Sequence, residues 1–315
     1  MATIGYQGSQ TRHLTRQYNL YVPFSTSSTP FNPVVRHLDY YANDGTANFN
    51  ALLGQLRHRF SRSFEADAQY RWSKSMDAGS NNFASGDYQY IPSTQYGPSD
   101  YDTTHAFKLY AVYSPTIFRG NKGWVEKIAG GWTISGILNA HSGFPWSPIT
   151  NNACDAIYQG SCGGGGSGAL RPVAYLGGAG TSSSTDTFKQ PNGNFPNGGL
   201  AYFTPATVTP GPSFEDIVAG VASPGPIPPP PGIGRNSFRG PRYFGVDATL
   251  SKSFGFPEMR VLGAGAKLEI RANFFNVFNK LNLSNPQVDI NNPNFGTAQD
   301  ALGGRTIEMQ ARFSF

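Results

Sequence analysis

Apolar and polar residues alternate along segments of about ten residues in this chain. The clearest segment spans residues 64 to 74, with one face formed by Phe64, Ala66, Ala68, Tyr70 and Trp72. Such alternation is typical of half-exposed β-strands, because successive side chains point to opposite faces. The same period recurs at 2 to 7, 49 to 60, 105 to 114, 131 to 142, 243 to 254, 266 to 274 and 305 to 315. The chain is therefore predicted to be all-β, with about eight antiparallel strands.

Short and long connections alternate between these strands. The short ones are residues 62 to 63, 115 to 130 and 255 to 263. The long ones are residues 8 to 46, 76 to 104, 143 to 242 and 277 to 303. Strands that run up and down would place all the long loops on one side. Since outer-membrane barrels have short periplasmic turns and long extracellular loops, the pattern predicts an antiparallel transmembrane β-barrel with long extracellular loops.

Alternation alone does not say which face of the sheet is buried. A soluble barrel that binds an apolar ligand would enclose its apolar face, whereas a membrane barrel turns that face toward lipid. The long loops on one side, the charged polar faces and the aromatic C-terminal strand favour the membrane barrel. Lumen-facing charges are then predicted at Glu65, Asp67, Arg71, Lys267, Glu269, Arg271, Glu308 and Arg312.

Aromatic residues make up 14% of the chain, and many lie near predicted strand ends. Rings with a polar edge favour the membrane–water interface, so two aromatic girdles are expected. The alternative is the core of an ordinary barrel or sandwich. The candidate girdle residues are Tyr40, Tyr41, Phe107, Tyr110, Tyr113, Trp124, Trp132, Phe144, Trp146, Phe244, Phe274, Phe275 and Phe278.

Charge and motifs narrow the function classes. The net charge of +5 is spread along the chain without a cluster of Lys and Arg, so nucleic acid is not an expected partner. No motif of a hydrolase, a zinc protease or a phosphate-binding loop is found, and the five histidines are scattered singly. We expect no enzymatic activity, no cofactor and no metal site.

The two cysteines, Cys154 and Cys162, lie in a Gly- and Ser-rich part of the longest loop. A local disulfide between them is favoured, and free thiols are the alternative. A disulfide would indicate an oxidising compartment.

Several segments have the order and spacing of a known family. They are N-D-G-T-A-N-F-N-A-L at 43 to 52, R-F-S-R-S-F-E-A-D-A-Q-Y-R-W-S-K-S at 59 to 75, S-D-Y-D-T-T-H-A-F-K-L-Y-A-V-Y at 99 to 113, G-G-W-T-I-S-G-I-L-N-A-H-S-G-F-P-W at 130 to 146, F-N-V-F-N at 275 to 279 and the terminal R-F-S-F. In these segments the chain resembles the C-terminal barrel of Oar-like TonB-dependent receptors. The resemblance covers nearly the whole chain except the middle of the longest loop.

The resemblance implies an outer-membrane receptor for an unidentified substrate, built from a carboxypeptidase-regulatory-like domain, a plug and a 22-stranded barrel. Its implied partners are outer-membrane lipid, the barrel-assembly machinery and, through the plug, the TonB complex. The terminal strand would be the insertion signal read by that machinery. Its implied residues are Ile307, Met309, Ala311, Phe313 and Phe315.

The sequence contains no recognisable signal peptide, plug or TonB-contacting segment, and eight strands are fewer than the family barrel needs. We therefore expect the C-terminal third of a receptor. The alternative is a self-contained eight-stranded outer-membrane barrel that acts as an adhesin or structural anchor. Closure distinguishes the two, because a small barrel must pair residues 2 to 7 with residues 305 to 315.

Overall fold

The structure is a computed structural model. It describes residues 1–21, 37–61, 63–80, 92–116, 128–149, 174–175, 200–201, 208–209, 233–256, 266–289 and 292–315. The long strands are β1 (Ala2–Tyr21), β2 (His37–Ser61), β3 (Phe64–Asp77), β4 (His105–Tyr113), β5 (Trp132–His141), β6 (Tyr243–Gly255), β7 (Lys267–Phe275) and β8 (Thr306–Ser314). A 3-10 helix lies at Pro92–Gln95. Two-residue strands lie at Gly97–Pro98, Pro145–Trp146, Ala174–Tyr175, Leu200–Ala201, Val208–Thr209, Phe238–Arg239 and Thr297–Ala298.

The eight long strands form one antiparallel sheet in which each strand pairs with the next along the chain. This up-and-down order confirms the predicted all-β, antiparallel fold. Within the described residues, β1 and β8 are the two edges of the sheet and do not pair with each other. Among the same residues, no helix is long and apolar enough to cross a membrane.

The strand register sorts the side chains onto two faces. Leu52 lies opposite Trp72, and Leu109 lies opposite both Ala68 and Leu138. The apolar face is the one that carries Ile4, Leu52, Trp72, Leu109, Leu138, Leu250, Ile270 and Met309. The polar face carries Gln7, Gln55, Asp67, Lys108, Asn139, Ser251, Arg271 and Arg312.

The apolar face is not covered by another layer of the described chain. Ile4, Leu56 and Trp72 are all exposed, and Met309 exposes 74% of its surface. A soluble domain would bury such a surface, because contiguous exposed apolar patches of this kind mark contact with another molecule or with a membrane.

The prediction of a loop over residues 8 to 46 was wrong at both ends of that range. β1 continues to Tyr21 and β2 begins at His37, so the two strands form a long hairpin. The register shifts twice near Leu14, next to His13 with its φ of 60°. Residues 8 to 13 are almost all polar and exposed, so this part of the strand has no apolar alternation. The pairing there rests mainly on backbone hydrogen bonds, which leave no pattern in the sequence.

A small apolar core lies among the connections. Trp146 and Phe295 are buried, and Phe238 and Val288 pack against them. The short strands Pro145–Trp146 and Phe238–Arg239 pair with each other and hold two of these rings together. Trp146 was predicted to be a girdle residue and is instead part of this core, because its ring packs against Phe238 and Phe295. Trp124 and the side chain of Tyr40 lie outside the described residues.

Candidate functional site

The polar face is partly covered where β3 meets its long connection. Ser73, Ser75 and Asp77 alternate along β3 and are all buried. The Ser73 amide donates to the Thr104 carbonyl at 2.9 Å, and its hydroxyl donates to the Thr103 carbonyl at 3.0 Å. The connection that leads into β4 therefore lies over the polar face at the long-loop end of the sheet.

Arg235 connects this layer to the connection that leads into β6. Its guanidinium donates to Asp77 Oδ1 at 2.6 Å, to Ser80 Oγ at 2.7 Å and to Asp100 Oδ1 at 2.9 Å. The side chain is only 11% exposed, and that of Asp77 is 5% exposed. A planar guanidinium suits such a site, because its donors point in several fixed directions at once.

A second arginine repeats the arrangement four residues later. Arg239 Nη2 donates to the buried carboxylate of Asp102. Asp102 also accepts the Ser75 amide hydrogen at 2.7 Å, so strand, carboxylate and arginine form one chain of contacts. The loop network is defined here as Asp77, Ser80, Asp100, Asp102, Arg235, Asn236 and Arg239.

Asn236 completes the loop network. Its Nδ2 donates to the Pro98 carbonyl and to Asp100 Oδ1, both at 2.7 Å, and its amide donates to Ser147 Oγ at 2.6 Å. Its φ of 55° is left-handed, a conformation that Asn adopts more readily than most residues. The short segment at residues 235 to 239 thus joins the connection that leads into β6 to the connection that leads into β4.

The two ends of the connection between β5 and β6 approach each other at Gly143 and Gly240. A Cβ on Gly143 would lie 1.8 Å from the Gly240 carbonyl oxygen. The Gly240 amide also donates to the Phe144 carbonyl at 2.8 Å. Only a residue without a side chain fits at Gly143, so the packing of this layer depends on glycine there.

Sequence reasoning did not find the loop network. Its residues are scarce charges beside strand ends: Asp77 closes β3, Asp100 and Asp102 precede β4, and Arg235 and Arg239 precede β6. In a chain with only 14% charged residues, the available signal was a group of acidic residues before β4 and a group of basic residues before β6. That signal does not identify pairs, because Arg235 and Asp77 are 158 residues apart.

The register places all eight predicted lumen-facing charges on the polar face. Glu65 and Asp67 each lie 3.9 Å from the Arg57 guanidinium, and Arg71 donates to Thr103 Oγ1 at 2.8 Å. Lys267 lies opposite Ser314, and Glu308 lies opposite Asn273. These half-exposed pairs each contribute about 0–1 kcal/mol, so they set the polarity of the surface more than its stability.

The remaining charges lie around a small depression next to the β8 edge. Glu269 Oε1 accepts from Arg271 Nη2 at 2.7 Å, and Arg312 lies directly opposite Glu269. These three residues and Gln310 line a cavity of about 50 Å³. Its size is that of one or two waters, so it is a hydrated part of the wall rather than a ligand pocket.

The residues of the predicted insertion signal form the end of β8. Ile307, Met309, Ala311 and Phe313 lie on the apolar face, opposite Phe274, Ala272, Ile270 and Leu268. Phe315 follows the strand, and its ring packs against Phe313 with centroids 6.0 Å apart. Cys154 and Cys162 lie outside the described residues, so the candidate disulfide stays a prediction.

Comparison with known proteins identifies the family. Residues 1–308 match the family model of the outer membrane beta barrel domain. The chain belongs to this outer membrane β-barrel domain family. The protein is therefore located in the cell outer membrane, and its apolar face is the side that contacts lipid, as in other barrels of this membrane.

Among solved structures, the chain is similar to the outer membrane transporter YddB from Escherichia coli, with a TM-score of 0.47 and 10% sequence identity. The match covers 98% of this chain and 30% of the transporter, so the chain spans less than a third of that protein's length. A search of curated proteins gave no significant match.

Within the described residues, no group of three or more His, Cys, Asp or Glu side chains is placed to hold a metal ion. The arginines and carboxylates of the loop network form ion pairs with one another. The arrangement can therefore order the long connections over the polar face and present polar groups from a fixed layer.

Proposed function

We propose that this chain is part of the barrel wall of an Oar-like TonB-dependent receptor that transports an unidentified substrate across the outer membrane. The observation that carries the proposal is the open sheet. Eight strands in sequence order end in two edges, β1 and β8, that are not paired with each other within the described residues. An open edge in a membrane leaves backbone groups without partners, so further strands are needed to close the barrel.

In this proposal the polar face lines the lumen, and the loop network holds the extracellular loops over it. Substrate would contact those loops and the plug. The wall itself catalyses nothing and needs no cofactor, because its charged groups serve as a hydrated surface. Specificity would come from loop residues rather than from the alternating strand positions.

The proposed partners follow from the same role. Outer-membrane lipid contacts the apolar face, and the barrel-assembly machinery recognises the terminal strand. The TonB complex acts on the receptor through a plug supplied by another part of the protein. The proposal therefore requires a protein larger than this 34.0 kDa chain.

Mass spectrometry of the protein purified from its native outer membrane tests this requirement. We expect an intact mass well above 34.0 kDa and peptides that precede Met1, including a plug. Binding of the purified protein to the periplasmic domain of TonB should then be measurable. An intact mass equal to that of this chain alone would overturn the proposal.

The second candidate is a self-contained eight-stranded barrel that acts as an adhesin or anchor. The strand count favours it, since outer-membrane barrels begin at about eight strands. It requires β1 to pair with β8 in the membrane. A cysteine at Thr3 combined with a cysteine at Gln310 or Arg312 should then form a disulfide, in a background where Cys154 and Cys162 are serine.

A matched pair controls that experiment. Glu269 and Arg312 lie directly opposite each other on β7 and β8, so cysteines at these two positions should cross-link in either case. Cross-linking of the control pair without any link from Thr3 supports the receptor. Efficient linkage from Thr3 to β8 supports the small barrel instead.

A further inference from the structure

Lys252 occupies an unusual place on the apolar face. It lies on β6 opposite Ile270, among residues that contact lipid, and yet only 4% of it is exposed. Its Nζ donates to the carbonyls of Ile128 and Gly130, each at 2.6 Å. It also lies over the rings of Trp132 and Phe254, 5.0 and 5.1 Å from their centroids. The turn at residues 128 to 130 thus covers the ammonium from one side.

Among the residues that the structure describes, these contacts leave the positive charge of Lys252 without a negative partner. No carboxylate of the described residues lies within ion-pair distance of its Nζ. An ammonium has three donors, and the two carbonyls use two of them. Buried charges in proteins are usually paired, because an unpaired charge in an apolar environment is costly. The site therefore has a place for an anion.

An open apolar groove begins at the same residue. It has a volume of about 370 Å³, within the range of small-molecule sites. Its walls include Lys252, Trp132, Leu250, Phe254, Ile270 and Met309. The strand residues among them all lie on the apolar face. A ligand that fits both observations carries a negative group at Lys252 and a hydrocarbon chain along the groove.

We propose that this groove binds one phospholipid, with a phosphate oxygen on Lys252 and an acyl chain along Leu250, Ile270 and Met309. Lipid is the surrounding solvent of this face, so an amphiphile of this kind is always at hand. Lysine is a common ligand for phosphate. The groove lies at the end of the sheet with the short connections. Its assignment to the periplasmic leaflet therefore depends on the proposed orientation of the barrel, whereas the lipid site itself depends only on contact with the membrane.

Photolabelling tests the site in the full-length protein, extracted from outer membranes into dodecyl maltoside, a detergent without phosphate. One probe is a phosphatidylglycerol with a diazirine on its acyl chain, and the other is a diacylglycerol with the same chain. We expect the phosphatidylglycerol probe to label peptides containing Ile270 or Met309 roughly tenfold more than the diacylglycerol, as for one charge-assisted contact.

Two pairs of variants locate the contacts. Lys252→Gln should lower phosphatidylglycerol labelling to the diacylglycerol level. Lys74→Gln should not, because Lys74 is on the same face of the sheet but lies on β3, at the long-loop end of the sheet. Ala272 also lines the groove, so Ala272→Phe fills it and should abolish labelling by both probes. Ala248→Phe, outside the groove, should leave labelling unchanged. The strand signal in circular dichroism reports folding of each variant.

Equal labelling by the two probes, or full labelling of a folded Lys252→Gln variant, would overturn the proposal. If Lys252→Gln does not fold, the comparison of the two probes on the unchanged protein and on Ala272→Phe decides. None of these outcomes bears on transport, because the receptor proposal is tested separately by intact mass and TonB binding.

Discussion

Arg235 shows how a single side chain can join two connections. It donates to two carboxylates, a hydroxyl and two backbone carbonyls at four positions of the chain: Asp77, Ser80, Gln95 and Asp100. Lysine carries the same charge but offers a compact ammonium on a flexible stem, so it cannot reproduce this fork of donors. The contribution of Arg235 therefore depends on its geometry as well as on its charge.

Replacement of Arg235 by lysine should open the loop network without unfolding the sheet. The reason is that acceptors of the buried Asp77 would lose their donor, at a cost of about 1–3 kcal/mol. Hydrogen exchange should show faster exchange of the Ser75 and Asn236 amides, with unchanged exchange in β4 and β5. Arg242→Lys, a change at an exposed arginine of the same connection, is the control. Equal protection in both variants would mean that charge alone suffices at Arg235.

The residues of the loop network were beyond sequence reasoning for a physical reason. Alternation predicted where Glu65, Asp67 and Arg71 lie, since a strand repeats every two residues. It says nothing about Arg239 and Asp102, which meet only because two connections fold over the same part of the sheet. Pairing across 137 residues depends on the assembled fold and leaves no local pattern.

The two faces of each strand contact different surroundings. In β4, Leu109 is flanked by Ala68 and Leu138 on the apolar face, whereas Val112 lies between Glu65 and Ser135 on the polar face. The two residues are similar in chemistry and both half-buried. Their environments nevertheless differ as lipid differs from water, so the same substitution should have opposite consequences at the two positions.

Leu109→Arg should impair folding into membranes, whereas Val112→Arg should be tolerated. An arginine on the lipid face costs about 2–4 kcal/mol at the bilayer midplane. On the polar face the new guanidinium can pair with Glu65. Folding into lipid vesicles under a urea titration measures both variants against the unchanged protein. Equal destabilisation of the two would contradict the assignment of the faces.

The terminal strand β8 is predicted to carry the assembly signal. Phe313 lies on the apolar face, and its ring contacts both Phe256 and Phe315, with centroids 5.9 and 6.0 Å apart. We expect Phe313→Ser to reduce the amount of protein in the outer membrane several-fold, as measured by quantitative blotting of membrane fractions. Gln310→Ser, on the polar face of the same strand, is the control. Normal assembly of Phe313→Ser would exclude this ring from the signal.

Strand ends were predictable only where the apolar pattern itself ended. β4, β5, β7 and β8 agree with the sequence pattern within one or two residues, because their apolar positions fill the whole strand. β1 and β2 extend far beyond it, to Tyr21 and from His37. A strand needs about 9–11 residues to cross a bilayer, so these two continue past it, where water on both faces removes the alternation.

At the scale of the whole molecule, the sequence predicted a two-faced sheet but not what each face contacts. The same alternation would suit a soluble barrel with its apolar side enclosed. The structure shows the apolar face uncovered, with Ile4 and Met309 exposed, and the family places that face in the outer membrane. Closure could not be read from the pattern either, because an edge strand and a paired strand alternate alike.

The chain on its own should aggregate in water, for two physical reasons that can be separated. Its apolar face is exposed, and its edge strands β1 and β8 offer unpaired backbone groups to other copies. Without detergent we expect inclusion bodies on expression and large particles in light scattering after refolding.

If the apolar face is the main cause of aggregation, detergent micelles should restore a single species, because they cover that face. If the edges dominate, oligomers should persist in micelles, because detergent does not pair strands. A monodisperse 34.0 kDa species in plain buffer would contradict both reasons and would favour a sheet that closes on itself.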